Sequence, residues 1–177
     1  MTSAPRWLTD RERQTWLAFL ATTQLLDEAL DRQLQRDAGM PHGYYMILAM
    51  LSEAPERKLR MSQLAEITNS SLSRLSHAVA RLEEAGWVRR EKCRTDKRGN
   101  IATLTDAGYA AIVAAAPGHV EAVREQLFDA LTPEQVDQLG AICDAILDRL
   151  DPDGTRRAAR HPHAADEPGE GTEPDCA

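Results

Sequence analysis

Hydrogen-bonding side chains cluster around the start of one amphipathic segment, LSRLSHAVARLEEAG, which begins at residue 72. The cluster comprises Ser70, Ser71, Ser73, Arg74 and His77. A guanidinium such as that of Arg74 can form a bidentate contact with the edge of a guanine base. Serine hydroxyls at a helix start suit phosphate oxygens, since the backbone N–H groups there also attract anions. These residue types predict a nucleic-acid contact surface, and a solvated helix face is the alternative.

A second charged group lies in the turn-like run RTDKRGN and consists of Arg94, Asp96, Lys97 and Arg98. Residues compatible with β-structure flank this run, so we expect it to form the tip of a two-stranded hairpin. A thin basic ribbon matches the width of the DNA minor groove, where negative potential attracts an arginine. An ordinary salt bridge within a turn is the alternative for Asp96 and Arg98.

The distribution of charge supports a phosphate-binding surface, although the total charge does not. The chain has a formal net charge of −7 at pH 7, which alone argues against a nucleic-acid partner. Residues 57–98 nevertheless contain 11 Lys and Arg against five Asp and Glu. A basic block inside an acidic chain is the electrostatic footprint expected of a surface that binds phosphates.

Two predicted helices position the first group of side chains. The first helix is short, about residues 62–68, with Ser62 as its predicted N-cap. Asn69 and Ser70 form a break, and either residue could cap the second helix, which Gly86 ends. The apolar face of the second helix is predicted to consist of Leu72, Leu75, Val79 and Leu82. This pattern predicts a helix-turn-helix followed directly by a charged wing.

Longer helices are predicted on the N-terminal side of this unit. Residues 9–38 form one helix, capped by Thr9 and ended by Gly39. A shorter helix follows Pro41, which suits its first turn, and stops before Pro55.

On the C-terminal side, a helix begins at Thr105 or Asp106, and Pro117 predicts a kink or a fresh start. The run TPEQ from Thr132 is a capping box that begins the last helix. Apolar stripes recur at helical spacing in the first and last helices, and a small monomer could not cover them fully. The sequence therefore predicts dimerisation through both ends of the chain.

The predicted fold class is mainly α with a small β-wing. An N-terminal dimerisation helix and a connecting helix occupy 1–56, and the winged helix-turn-helix lobe occupies 57–105. The C-terminal dimerisation helices occupy 106–152. Residues 153–177 are rich in Pro, Gly and charged residues and are predicted to be a disordered tail.

Signatures of enzymes and metal sites are missing from the sequence. Glycine-rich phosphate loops, nucleophile elbows and zinc-protease motifs do not occur, so we expect no catalytic residue and no cofactor. The histidines and the three cysteines lack metal-ligand spacing, although Cys93 leaves a redox switch as an alternative. With no signal peptide and no membrane-spanning apolar run, we expect a cytoplasmic protein.

The run from residue 64 to residue 108 resembles the core of the multiple-antibiotic-resistance regulator (MarR) family. Its marks are L-A at 64–65, S-x-L-S-R-L at 70–75, R-L-E-x-A-G-W-V-x-R at 81–90, D-K-R at 96–98 and L-T-D-A-G at 104–108. The resemblance implies a homodimer in which each winged helix binds half of a pseudo-palindrome. It also implies that Arg98 enters the minor groove, that Asp96 orients the wing, and that residues 71, 73, 74 and 77 contact the major groove.

A ligand pocket is a further implication of the resemblance, because similar proteins have one between the dimer helices and the DNA-binding lobe. The candidates to line it are Trp16, His42, Tyr45, Met46 and His119. Core packing is the alternative for each of them.

The sequence thus predicts a homodimeric transcriptional regulator, foremost a repressor, that binds double-stranded DNA at a pseudo-palindromic operator. Ser62 and Arg81 complete its predicted DNA-binding surface. A small effector, aromatic or otherwise, would relieve the binding. From a different class, the alternative is a helical dimer whose basic winged helix binds an acidic protein partner.

Overall fold

The computed structural model describes residues 5–92, 99–152 and 154, and it confirms the mainly helical fold with a small β-wing. The helices of these residues are α1 (Asp10–Ala38), α2 (His42–Glu53), α3 (Met61–Ile67), α4 (Leu72–Glu84), α5 (Asp106–Gln126) and α6 (Pro133–Leu150). The strands are β1 (Lys58–Arg60), β2 (Val88–Lys92) and β3 (Asn100–Leu104). Short 3-10 turns occupy Pro55–Arg57 and Phe128–Ala130.

The three strands form one antiparallel sheet in the order β1-β3-β2. Strands β2 and β3 are the predicted hairpin, with Val88 opposite Leu104 and Lys92 opposite Asn100. Strand β1, in which Leu59 lies opposite Ala102, was not predicted. Strand β1 has only three residues, and two of them are charged, so it shows no alternating apolar pattern. Its pairing with β3 alone defines it as a strand. It joins the start of the helix-turn-helix to the wing.

Local capping chemistry fixes both ends of α1 and the start of α6 where the sequence predicted them. The Thr9 N–H donates to Glu12 Oε2 at 2.7 Å, and the Glu12 N–H donates to Thr9 Oγ1 at 3.2 Å. Gly39 ends α1 in the left-handed region at φ 65°. Thr132 and Gln135 form the same reciprocal box at the start of α6.

The predicted caps of the helix-turn-helix were wrong by one or two residues. Arg60 is the N-cap of α3, and its N–H donates to Gln63 Oε1 at 3.2 Å, so Ser62 lies inside the first turn. Ser71, rather than Asn69 or Ser70, caps α4 by accepting from the Arg74 N–H at 3.3 Å. Asn69 instead adopts a left-handed φ of 49°, which asparagine tolerates and which turns the chain between the two helices.

Helix α4 ends as predicted at Gly86, whose φ of 74° is left-handed. The Trp87 N–H donates to the Leu82 carbonyl and the Gly86 N–H to the Glu83 carbonyl, each at 2.9 Å. These two bonds are the Schellman pattern, which reverses the chain into β2.

Pro117 does not start a new helix, so that part of the prediction was wrong: α5 continues from Asp106 through to Gln126. A proline removes one N–H and leaves the carbonyl four residues earlier without its helical partner. That residue, Val113, is exposed, so water can reach its carbonyl. Pro41 likewise precedes α2 as its N-cap instead of lying in the first turn.

The core joins the C-terminal half of α1 to α2, α3, α4 and the sheet. Its fully buried side chains are Leu34, Leu48, Leu51, Leu64, Leu75, Val79 and Leu82. Leu72 was predicted to belong to the apolar face of α4, but the residue is 55 % exposed. It is the first residue of α4, one turn before Leu75, and its side chain extends beyond the edge of the core.

A close backbone contact fixes the sheet against α5. Thr105 caps α5 and donates from Oγ1 to the Gly86 carbonyl at 2.7 Å, while its N–H donates to the Trp87 carbonyl at 3.0 Å. A Cβ added at Gly108 would lie 2.1 Å from that Trp87 oxygen. The L-T-D-A-G motif therefore contains a glycine because no side chain fits at this contact.

The two ends of the described chain leave large apolar side chains uncovered. Exposed members of the N-terminal half of α1 and the residues before it are Trp7, Leu8, Trp16, Leu17, Phe19, Leu20 and Leu25. Helix α6 has no buried residue, and Ile142 is 57 % exposed. Among the described residues, no helix combines the length and apolar character needed to cross a membrane.

Candidate nucleic-acid interface and effector site

Predicted contact residues meet at the turn between α3 and α4. Ser62 on α3 and Ser70 and Ser71 in the turn border one depression of about 430 Å³. Its other lining residues are Ala65, Glu66, Asn69 and Leu72. The structure therefore brings the three predicted hydroxyl residues to one surface, where they can donate to phosphate oxygens.

Arg74, His77 and Arg81 lie on one face of α4, beside Tyr44 of α2, around a second depression of about 620 Å³. All three charged or polar side chains are exposed, as is Ser73. Successive positions three or four residues apart share a helix face, so this grouping follows from the spacing of 74, 77 and 81. The buried Leu75, Val79 and Leu82 occupy the opposite side.

The two arginines of this face differ in their protein partners. Arg81 Nη1 lies 2.8 Å from Glu84 Oε2, and this hydrogen bond, with the charge of Glu84, raises the pKa of Arg81. Within the part of the chain that the structure describes, Arg74 has no carboxylate within 4 Å. Of the two, Arg74 is therefore the side chain that can turn to a ligand without breaking an ion pair to a described carboxylate.

Arg90 connects β2 to α4. Its Nη2 and Nε each lie 2.5 Å from Glu83 Oε2, and its backbone N–H donates to Glu83 Oε1 at 2.8 Å. This contact fixes the wing strand relative to α4. Arg89 pairs with Glu91 at 2.8 Å, so neither arginine of β2 is an unpaired cation.

Four of the predicted site residues, Arg94, Asp96, Lys97 and Arg98, lie outside the described residues. The structure describes the strands on either side, which end at Lys92 and begin at Asn100. The contact between Arg90 and Glu83 fixes the first of these strands, β2, next to α4.

His42, Tyr45 and His119, three of the five predicted effector-site residues, form one cluster. The ring centroid of His119 lies 4.3 Å from that of Tyr45 and 5.5 Å from that of His42. Tyr45 and His119 are buried, and the Nδ1 atom of His119 is a buried polar atom without a hydrogen-bond partner. An orphaned buried nitrogen of this kind is a place where a ligand or a water can bind.

Two carboxylates of α1 hold His42 in this cluster. The sequence analysis did not predict either of them. Asp27 Oδ1 lies 2.9 Å from His42 Nδ1, and Asp31 Oδ1 accepts from the His42 N–H at 2.8 Å. Their i, i+4 spacing places them on one helix face, which is the only sequence signal that could have indicated the pair.

Trp16 and Met46 do not join this cluster within the single chain. Trp16 stacks on Phe19, with ring centroids 6.3 Å apart, and is exposed. It lies 11 residues before Asp27, or about 16 Å along the helix axis. Met46 points to solvent with an exposed fraction of 36 %.

Burial and the nearby charge of His42 lower the pKa of His119. The neutral imidazole is therefore the folded-state form at neutral pH. A neutral ring with one unbonded nitrogen can accept from, or donate to, an incoming polar group.

Comparisons with known proteins agree with this architecture. A sequence model of the MarR family matches residues 38–99. Sco3205 of Streptomyces coelicolor, a MarR family transcriptional regulator solved in complex with DNA, is 54% identical over 85% of this chain and 94% of its own, with a TM-score of 0.80. The chain belongs to the MarR family of transcriptional regulators.

Two further relatives of this MarR family regulator are less similar to it than Sco3205. AbsC of Streptomyces coelicolor, also a MarR family regulator, is 41% identical over 82% of this chain and 98% of its own, with a TM-score of 0.76. The transcriptional regulator PecS of Dickeya dadantii is 29% identical over 58% of this chain. The match covers 62% of PecS, a little under two thirds of that protein. The family consists of DNA-binding regulators, not enzymes.

Proposed function

We propose that this protein is a homodimeric repressor that binds a pseudo-palindromic operator and is released from it by a small ligand. The observation that carries the proposal is the face of α4 on which Arg74 and His77 are exposed while Leu75 and Val79 are buried beneath them. A helix anchored in this way can enter the major groove with its polar side toward the bases. The DNA complex of Sco3205, at 54% identity, supports DNA as the partner.

Base reading is assigned to Ser73, Arg74 and His77. Arg74, which has no carboxylate within 4 Å in the described chain, forms the bidentate contact with guanine. The hydroxyls of Ser62, Ser70 and Ser71 and the cation of Arg81 contact phosphates and fix the register of the helix. Arg81 exchanges its bond with Glu84 for one with a phosphate.

The wing supplies the second contact of each half-site. Arg98 enters the minor groove, Asp96 orients the wing, and Arg94 and Lys97 contact the flanking phosphates. The join between Arg90 and Glu83 supports this arrangement, because it couples the position of β2 to that of α4.

A second copy of the chain covers the apolar surfaces of α1 and α6. Large exposed apolar side chains concentrate there, with Leu17 at 52 % and Ile142 at 57 % exposed. Large apolar side chains concentrated on exposed helix faces in this way are typical of an association surface. A closed twofold dimer then presents two α4 helices about 34 Å apart, one turn of the duplex, which explains a pseudo-palindromic operator.

Repression, as the sign of regulation, is supported by the transcriptional repressor MprA of Escherichia coli, which is 27% identical over 64% of this chain. The effector is proposed to bind beside His42, Tyr45 and His119, where the unpartnered His119 Nδ1 supports a polar contact. This cluster bridges α1, α2 and α5, so a ligand there can shift the DNA-binding lobe relative to the dimer helices.

An electrophoretic shift with the DNA flanking the protein's own gene tests the proposal, with unrelated DNA as competitor. We expect a complex that survives excess competitor and weakens steeply as salt increases. Equal affinity for both DNAs at every salt concentration contradicts the proposal and favours an acidic protein partner for the basic lobe.

A further inference from the structure

Leu72 is the exception on the apolar side of α4. Leu75, Val79 and Leu82 are essentially fully buried, whereas Leu72 is 55 % exposed at the first position of the helix. A large apolar residue with more than half of its surface in water, at the start of α4, is only partly covered by the fold of the monomer. Its surroundings therefore decide what it can contact.

Two surface depressions meet at Leu72. The first is the one at the helix-turn-helix turn, shared with Ser62, Ser70 and Ser71. The second, of about 240 Å³, is lined by Arg60, Met61, Ser62, Leu72, Ser76, Arg90, Gly99 and Asn100. Leu72 thus lies between the proposed phosphate contacts and the wing strands at Arg90 and Asn100, within the surface proposed to face DNA.

The neighbours of Leu72 on this surface are mostly hydroxyl, amide and guanidinium groups. Hydrogen-bond donors and acceptors on the base edges of the major groove can bond to such groups. A leucine side chain forms no hydrogen bond, so it needs an apolar partner. The one apolar group that base edges present in the major groove is the C5-methyl of thymine. Contact between the two removes both apolar surfaces from water.

We infer that Leu72 contacts the C5-methyl group of one thymine in each half-site and so helps to determine operator sequence. The inference rests on the proposed DNA-binding function, and it adds which base Leu72 recognises and which residue recognises that base. Leu72 reads that thymine by apolar contact, whereas Ser73, Arg74 and His77 read their bases by hydrogen bonds.

Deoxyuridine substitution tests the contact, because deoxyuridine differs from thymidine only by the missing methyl group. Each thymine of an operator recovered by genomic selection is replaced singly, and the affinity of the full-length protein is measured by fluorescence anisotropy. For the wild-type protein we expect a loss of about fourfold at one thymine in each half-site, the value of one buried methyl group. In Leu72→Ala this loss disappears at that thymine and persists at any other sensitive position.

Ser73→Ala is the matched control, since it changes the adjacent exposed residue and should retain the penalty at the Leu72 thymine. Equal deoxyuridine penalties in the wild type and Leu72→Ala overturn the inference while leaving the proposed function intact. Failure of the wild-type protein to prefer the operator over unrelated DNA overturns the proposed function itself. A melting temperature lowered by several degrees in Leu72→Ala also overturns the inference, since it assigns Leu72 to internal packing.

Discussion

Glu83 of α4 holds Arg90 of β2 at both its guanidinium and its backbone, with Oε2 2.5 Å from Nε and Oε1 2.8 Å from the backbone nitrogen. The side chains of the pair are 28% and 34% exposed. Partial burial makes such a bidentate pair stronger than an open surface ion pair, which contributes little. The pair connects α4 directly to β2.

Glu83→Ala should lower the free energy of unfolding by about 1–2 kcal/mol, because it removes a charged acceptor from both the Arg90 side chain and its backbone N–H. Urea denaturation at fixed protein concentration measures the change. The matched control is Glu84→Ala, the next residue, whose pair with Arg81 is exposed and should contribute under about 0.5 kcal/mol. Equal effects of the two substitutions contradict the bridging role of Glu83.

Gly108→Ala should destabilise the protein by about 3 kcal/mol or more, since the new Cβ would lie 2.1 Å from the Trp87 carbonyl oxygen and backbone must move. Thermal unfolding measures the effect. Gly43→Ala is the control, because a Cβ at this helical position meets nothing within 4 Å. It should be neutral or stabilise by up to about 1 kcal/mol. A small effect at Gly108 would mean that α5 and the wing base are not held in contact.

Acid should weaken the fold through His119. The folded state holds His119 neutral with a lowered pKa, whereas the unfolded chain takes up a proton below about pH 6.5. This penalty is absent well above that pH, and it increases as the pH falls from there toward the lowered folded-state pKa. Its slope cannot exceed about 1.4 kcal/mol per pH unit for one proton.

Urea denaturation between pH 7.5 and pH 5, pH values chosen to bracket the unfolded-state pKa, measures this slope. His119→Phe keeps a ring against Tyr45 without a titrating group and should reduce the slope. His77→Phe, an exposed position on α4, is the control and should keep it. Asp27 and Asp31, the carboxylates near the site, remain in both variants, so they do not account for the difference. Identical slopes in all three proteins contradict the assignment.

Ile142→Glu should convert the proposed dimer to monomer, because it places a charge in the centre of the uncovered apolar face of α6. Analytical ultracentrifugation over a range of concentrations measures the association. Asp137→Asn alters the same helix about 140° around its axis and should leave the association unchanged. A wild-type monomer, or a dimer that tolerates glutamate at 142, would remove α6 from the interface.

Local chemistry made much of this fold predictable from the sequence. Thr9, Gly39 and Thr132 cap helix ends through bonds to residues within about one helical turn. Their capping roles can therefore be predicted from nearby residues alone. Spacing likewise grouped Arg74, His77 and Arg81 on one face of α4, as the structure has them.

Features that depend on distant parts of the chain escaped prediction. Strand β1 exists through its pairing with β3, in which Leu59 lies opposite Ala102, 43 residues later in the chain. Asp27 reaches His42 only because α1 and α2 pack together, and Leu72 follows the apolar periodicity but lies beyond the core. Periodicity gives the direction of a side chain on its helix, and it does not give the extent of the element packed against it.

The operator preference of Arg74→Ala decides whether α4 reads operator DNA. Affinity for the operator and for unrelated DNA is measured by anisotropy at one salt concentration, with Arg32→Ala on exposed α1 as the matched loss of one cation. We expect Arg74→Ala to lose roughly 5- to 150-fold in affinity for the operator and little for unrelated DNA, while Arg32→Ala retains the wild-type preference. An Arg74→Ala protein with the wild-type ratio of the two affinities would contradict this role of α4.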